Sequence, residues 1–282
     1  MFNHSTEIFS AITLTTVLTL IGCSQSKDAR QTDVAQKTVE EVVTIVATDT
    51  KPYSSLIEQA KQDLKKQNVD LKITYMTDPL SINRVVAEKQ YDLNFYQHEA
   101  YLDSVRFKNK WDLQPISYTF NTIFGGYSSK YKSIDQLPNG ATITIPGDPA
   151  NNARALVLLA DSKLITLKPH AIDYQVSQRD ISSNPKNFKI IEVEQPMLPT
   201  AYKDSDLTVI TGVYADRAGL VPNRDALIRD KAAKKWTAVL VGNSESIKKP
   251  SVIKVQQYFD SKLAYDFINK NYGEFVIWDK NK

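Results

Sequence analysis

Arg154 carries a planar guanidinium whose fork can grip a carboxylate through two parallel hydrogen bonds. It stands about one turn inside a predicted helix that Asp148-Pro149 and Asn151 would start, where unpaired N–H groups and the helix dipole also favour an anion. A surface or internal ion pair is the commoner fate of an arginine, so residue type alone leaves both roles open. Asn151 is equally two-sided: a donor to the same anion, or a helix cap. Earlier in the chain, Asn94, Tyr96 and His98 alternate along a predicted strand and therefore share one face. That face offers a ring able to pack on a thioether and a neutral imidazole able to hydrogen-bond a ligand. A structural role suits His98 and Asn94 just as well. Catalysis is poorly served. His98, Glu99 and Asp103 are near one another in sequence, but the chain has only three histidines, no Gly-x-Ser-x-Gly elbow and no His/Cys pair at metal-ligand spacing. The expectation is no enzyme, no metal and no cofactor.

The single cysteine points elsewhere. Leu20-Ile21-Gly22-Cys23 follows a short apolar run over residues 11–20, too short to span a bilayer but suited to a secretory signal. This stretch resembles the bacterial lipobox, which implies cleavage before Cys23, acylation of its thiol and attachment of the mature chain to a lipid bilayer. Residues 1–10 lack the Lys or Arg usual in a leader. Residues 24–41 are polar with mixed charge and read as a tether, making 1–22 a signal peptide and 23–41 the linker.

The remaining chain has ordinary globular composition, and a net charge of +3 with dispersed Lys and Arg excludes nucleic acid as a partner. Short β-branched runs alternate with segments of helical period. Strands are expected over residues 42–47, 71–76, 93–96, 141–145, 189–193, 207–211 and 237–241. Helices are expected around Leu56-Ile57-Ala60-Leu64 with Ser54 or Ser55 as cap, Ile82-Val85-Val86, and over 100–107, 152–162, 251–260 and 261–271. Gly125-Gly126-Tyr127 and Pro138-Asn139-Gly140 read as turn or crossover. This alternation predicts an α/β fold, and an α/β chain on an extracytoplasmic anchor suggests two lobes closing on a ligand.

Three segments then carry a resemblance. Asp92-Leu93-Asn94-Phe95-Tyr96-Gln97-His98, with Ala100-Tyr101-Leu102, is similar to a segment of the NlpA family, the methionine-binding lipoproteins of ABC importers. Pro146-Gly147-Asp148-Pro149-Ala150-Asn151-Asn152-Ala153-Arg154 resembles a second, and Asn184-Pro185-Lys186-Asn187-Phe188 a third, in the family's order. The resemblance implies a two-lobed, type II-like periplasmic-binding-protein fold with the ligand cleft between lobes. It places 42–127 and 237–282 in lobe 1 and 128–236 in lobe 2, with crossings near Ser128 and Trp236. It assigns Arg154 to the ligand carboxylate, with Asn151, Tyr96, His98, Asn94, Asn83 and Thr211 around the ligand. Tyr96 stands for the family's Phe, Thr211 for an Asn that contacts the amino acid, and Thr122-Ile123 for a frequent Tyr-Pro.

The expected function is a lipid-anchored substrate-binding protein that takes methionine and delivers it to an ABC permease in the membrane. The altered pocket positions keep another amino acid, a methionine derivative or a short peptide open as ligand. The expected location is the cell envelope, facing the periplasm. Docking on a permease favours the inner membrane, whereas Ser24 after the cysteine leaves the outer membrane, and a non-transport envelope lipoprotein, open.

Overall fold

The computed structural model describes residues 41–169 and 175–278. The expected leader, Cys23 and the tether through residue 40 lie outside them. In chain order the first elements are β1 (Glu41–Ala47), α1 (Tyr53–Lys65), β2 (Val69–Tyr75), α2 (Pro79–Ala87), β3 (Leu93–His98), α3 (Glu99–Asn109), β4 (Gln114–Thr122) and β5 (Phe124–Tyr127). The middle of the chain gives β6 (Thr142–Pro146), α4 (Pro149–Asp161), β7 (Thr166–Leu167), β8 (Ile181–Ser183), β9 (Lys189–Val193), α5 (Leu198–Ala201) and β10 (Leu207–Thr211). Then come α6 (Gly212–Arg217), α7 (Pro222–Asp225), β11 (Ile228–Arg229), β12 (Thr237–Gly242), α8 (Pro250–Phe259), α9 (Lys262–Tyr272) and β13 (Val276–Ile277).

Two mixed sheets result, in the orders β13-β4-β12-β3-β1-β2 and β11-β5-β10-β6-β9. In the first, β1 runs parallel to both β2 and β3, with Val43 opposite Leu71 and Ile45 opposite Leu93. In the second, β6 is parallel to β9 and β10, while β5 is antiparallel to β10 and β11. Each sheet has its own core. Phe95 anchors the first, its ring 4.9 Å from Phe259, 5.2 Å from Tyr53 and 5.9 Å from Phe120. Ile143, Ile145, Leu156, Leu159 and Val209 fill the second. These are the two α/β lobes expected, and β-branched strand residues buried on both faces are what parallel sheets demand.

Three expectations are corrected. Gly125-Gly126-Tyr127 is strand, not turn: β5 lies so close to its neighbour that a Cβ on Gly126 would meet Ile228 Cγ1 at 2.7 Å, which explains the glycine. The outgoing crossing consequently falls at Ile123, between β4 and β5, so residues 124–127 join the second sheet and not the first. Helix α1 begins at Tyr53 after Pro52 with no side-chain cap; Ser55 Oγ instead hydrogen-bonds the Tyr272 hydroxyl at 2.6 Å. Among the described residues no helix is long and apolar enough to cross a membrane.

Candidate functional site

A parallel sheet presents its ligand-binding crevice beyond the carboxyl ends of its strands. Here both sheets do so toward one another. The segments after β1 (Thr48, Thr50), after β2 (Pro79) and at the end of β3 (Tyr96, Gln97, His98) face those after β6 (Asn151), β9 (Gln195) and β10 (Thr211, Val213, Tyr214). Between them lies a cavity with about 110 Å³ of room for the centres of water-sized spheres. That is several times the roughly 10–15 Å³ that one water needs on this measure. The space suits a small solute.

Two loops are held by caps. Asp148 caps α4 by accepting from Asn151 N at 3.0 Å, and Pro149 takes the first helical position, where a missing N–H does no harm. His98 caps α3, its Nδ1 accepting from Tyr101 N at 3.1 Å. With Nδ1 acting as acceptor, the ring proton sits on Nε2, which donates to Asn151 Oδ1 at 3.1 Å across the cleft. Burial first, and then the nearby Arg154 charge, push His98 from the ordinary 6.5 down to about 3, so it is neutral. The Asn151 amide donates in turn to Asp148 at 3.0 and 3.2 Å. Gln195 Nε2 reaches the same carboxylate at 2.9 Å. Burial holds the Asp148 carboxyl above its usual range despite these bonds.

Arg154 sits behind the cavity wall and is 2 % exposed. Its guanidinium lies between the rings of Phe124 and Trp236, 4.7 and 4.9 Å from their centroids. Nε donates to Asp230 Oδ2 at 2.7 Å and Nη2 to Thr122 O at 3.0 Å. Nη1 is buried with no partner. Asp230 is itself tied to the outgoing crossing, accepting from Phe124 N at 3.1 Å and donating its own N–H to Phe124 O at 2.9 Å. Both fates open to Arg154 thus occur together: a structural ion pair on one edge, an unmet donor on another.

The sequence-predicted residues separate into two groups. Tyr96, His98, Asn151 and Thr211 line the cavity, as does Thr122. Arg154, Asn83 and Asn94 do not; Arg154 is buried, and the two asparagines are fully so. Asn83 Oδ1 accepts from Gln97 at 2.6 Å and from Asn94 at 3.1 Å, and its Nδ2 donates to Gln97 Oε1 at 2.8 Å and to Tyr96 Oη at 2.7 Å. That exhausts two donors and two lone pairs, so Asn83 braces the wall and has nothing left for a ligand. Sequence reasoning passed over Thr48, Thr50, Tyr53, Tyr101, Gln195 and Tyr214, which also line the cavity. Tyr101 stood inside a motif already singled out, and the others carry no local signal.

The profile of the NlpA lipoprotein family matches residues 43–278. The chain belongs to this family. The D-methionine-binding lipoprotein MetQ of Escherichia coli K12 is 31% identical over 271 residues, covering 93% of this chain and 94% of that protein. Outer membrane lipoprotein 3 of Mannheimia haemolytica is 30% identical over 227 residues, covering 80% and 86%. Among solved structures, a nutrient binding protein from Burkholderia cenocepacia bound to methionine superposes with a TM-score of 0.78 at 27% identity, covering 84% of this chain and 99% of that one.

Proposed function

We propose that this protein is the lipid-anchored binding component of a methionine importer, taking the free amino acid between its lobes and handing it to a membrane permease. The observation that carries this reading is the cavity itself: lined from both sheets, with Tyr96 and His98 on one side, Asn151 and Thr211 on the other, and with its lining residue Thr122 bonded through its carbonyl to Arg154, whose Nη1 has no partner. The relatives named for methionine binding, and the one solved with methionine, supply the ligand.

The charge balance supports a zwitterion. Asp230 already neutralises Arg154, so a ligand with a lone negative charge would leave a net anion in a dry site, at considerable desolvation cost. A zwitterion brings its own compensating ammonium, for which the hydroxyl oxygens of Thr48, Thr122 and Thr211 stand ready as acceptors. Thr211 offers one hydroxyl where the family's Asn offers an amide, which makes ligand stereochemistry and close analogues the natural variables. Acylation at Cys23 would tether the protein to the envelope face of a membrane. Docking on a permease favours the inner one, and the outer-membrane name of the Mannheimia relative is the observation that favours the second location.

Calorimetric titration of the full-length chain in detergent with L-methionine and D-methionine tests the reading, together with mass spectrometry of small molecules released on denaturation. Saturable 1:1 binding of either is expected. No heat with either, and no amino acid released, would refute it.

A further inference from the structure

Helix α6 follows β10 of the second sheet, yet both of its ends reach the first lobe. At its start the chain runs so near the turn after α9 that a Cβ on Gly212 would meet Phe275 O at 2.8 Å. Gly212 N donates to Ile123 O, on the outgoing crossing, at 2.6 Å. One residue on, Val213 packs against the core of the first sheet. At the other end, Arg217 Nη2 donates to Thr50 Oγ1 at 3.1 Å, in the loop after β1. The same guanidinium lies 5.0 Å from the centroid of the Tyr214 ring. Thr50, Val213 and Tyr214 line the cavity, and Arg217 does not.

The contacts at the two ends differ in kind. Gly212 is bonded to the crossing itself, a joint that persists whatever the width of the cleft. Arg217 lies about 7 Å further along the helix, at 1.5 Å per residue. It is exposed, and its bond to Thr50 joins side chains carried by different lobes. In a hinge motion about the crossing, contacts at the joint survive and a side-chain bond away from it is the one to part. Resting on the proposed methionine reading, we infer that Arg217 is a positioning residue for the bound ligand. Its bond to Thr50 is a latch that holds α6, and with it the part of the cavity wall formed by Val213 and Tyr214, against the first lobe. Because Arg217 stays outside the cavity, the latch sets how long the cleft keeps its cargo and not which cargo it takes.

The test follows release of radiolabelled L-methionine from the full-length chain in detergent after a chase with unlabelled methionine. Four proteins are compared: wild type, Arg217→Ala, Thr50→Val and the double variant. The net worth of one hydrogen bond corresponds to about three- to tenfold in an equilibrium constant, and changes within one binding site fall mainly on dissociation. Arg217→Ala is therefore expected to release methionine about three- to tenfold faster than the wild type. Thr50→Val should also speed release. Adding Arg217→Ala to Thr50→Val should then change the rate by less than about twofold, because the two side chains make one bond. A rate that Arg217→Ala leaves unchanged, or single effects that multiply in the double variant, overturns the latch and leaves methionine binding intact. If the wild type retains no labelled methionine, the parent reading fails and the latch with it.

Discussion

His98→Asn isolates the thermodynamic cost of a neutral histidine in the cleft. Asparagine places Oδ1 about where the imidazole holds Nδ1, so the cap on Tyr101 N survives while the titrating group and the bond to Asn151 are lost. In the folded wild type His98 is held down to about 3, by burial first and Arg154 second; in the unfolded chain it returns to about 6.5. Below that value the unfolded chain binds a proton that the folded one refuses. The contribution of His98 is thus fully present above about pH 6.5 and is lost progressively as pH falls toward 3. At pH 5 the imidazole is about 1.5 pH units below its unfolded midpoint, at about 1.4 kcal/mol per unit, a loss of roughly 2 kcal/mol. For a domain of this size that is about 4–8 °C in Tm. Asp148 works in the opposite sense, since burial raises its carboxyl and protonation on acidification relieves that penalty, but it is present in both proteins. The assay is calorimetric melting of wild type and variant at about pH 8 and pH 5. The wild type should lose about 4–8 °C more than the variant between the two pH values. Parallel losses would show that His98 titrates normally, and the buried, neutral, Nε2-protonated ring would have to be abandoned.

Arg154→Gln should weaken methionine binding by at least about 2 kcal/mol, the lower range for truncating a buried charged partner, as read by calorimetric titration; an unchanged Kd would remove Nη1 from the site. Asp230→Asn should destabilise the protein by about 3 kcal/mol in denaturant melts, the low end for a broken buried pair because Asp230 keeps some exposure. The same variant should shift preference from methionine toward N-acetylmethionine, which lacks the ammonium; no shift would discount the charge-balance argument. Phe95→Ala should cost about 3–5 kcal/mol by denaturant unfolding, since its ring meets three others in the first core; a loss below about 1 kcal/mol would mean that core repacks freely.

Strands such as β1 and β10 declared themselves because parallel strands buried on both faces must be runs of apolar, β-branched residues. β4 gave no such signal. Its inward positions include Ser117, Thr119 and Asn121, buried polar residues whose partners, Asp260, Ala238 O and Thr237, are more than a hundred residues away. Gly125-Gly126 misled for a related reason: the need for glycine came from Ile228 on a distant strand, not from a turn. Within the site, alternation along β3 led to Tyr96 and His98, which line the cavity, but it also pointed to Asn94, which does not, and away from Gln97, which does; the motif around α4 marked Arg154. What residue type could not supply was the division of labour. Asn83 and Asn94 look like ligand contacts until their mutual bonds are counted, and Asp230 became visible only when the fold set it against a side chain from another element.

Among the described residues, two stretches of backbone join the sheets, one at Ile123 and one between β11 and β12. Arg154 holds the first through Thr122 O and the second through Asp230, while the ring of Trp236, on the returning stretch, lies 4.9 Å from the guanidinium and perpendicular to the His98 ring, with 5.1 Å between the two ring centroids. The guanidinium that keeps an unpartnered N–H is therefore bolted to both joints at once. On the proposed reading, a carboxylate taken by that N–H would pull on both joints through a single side chain, so word that cargo has arrived would have no distance to travel.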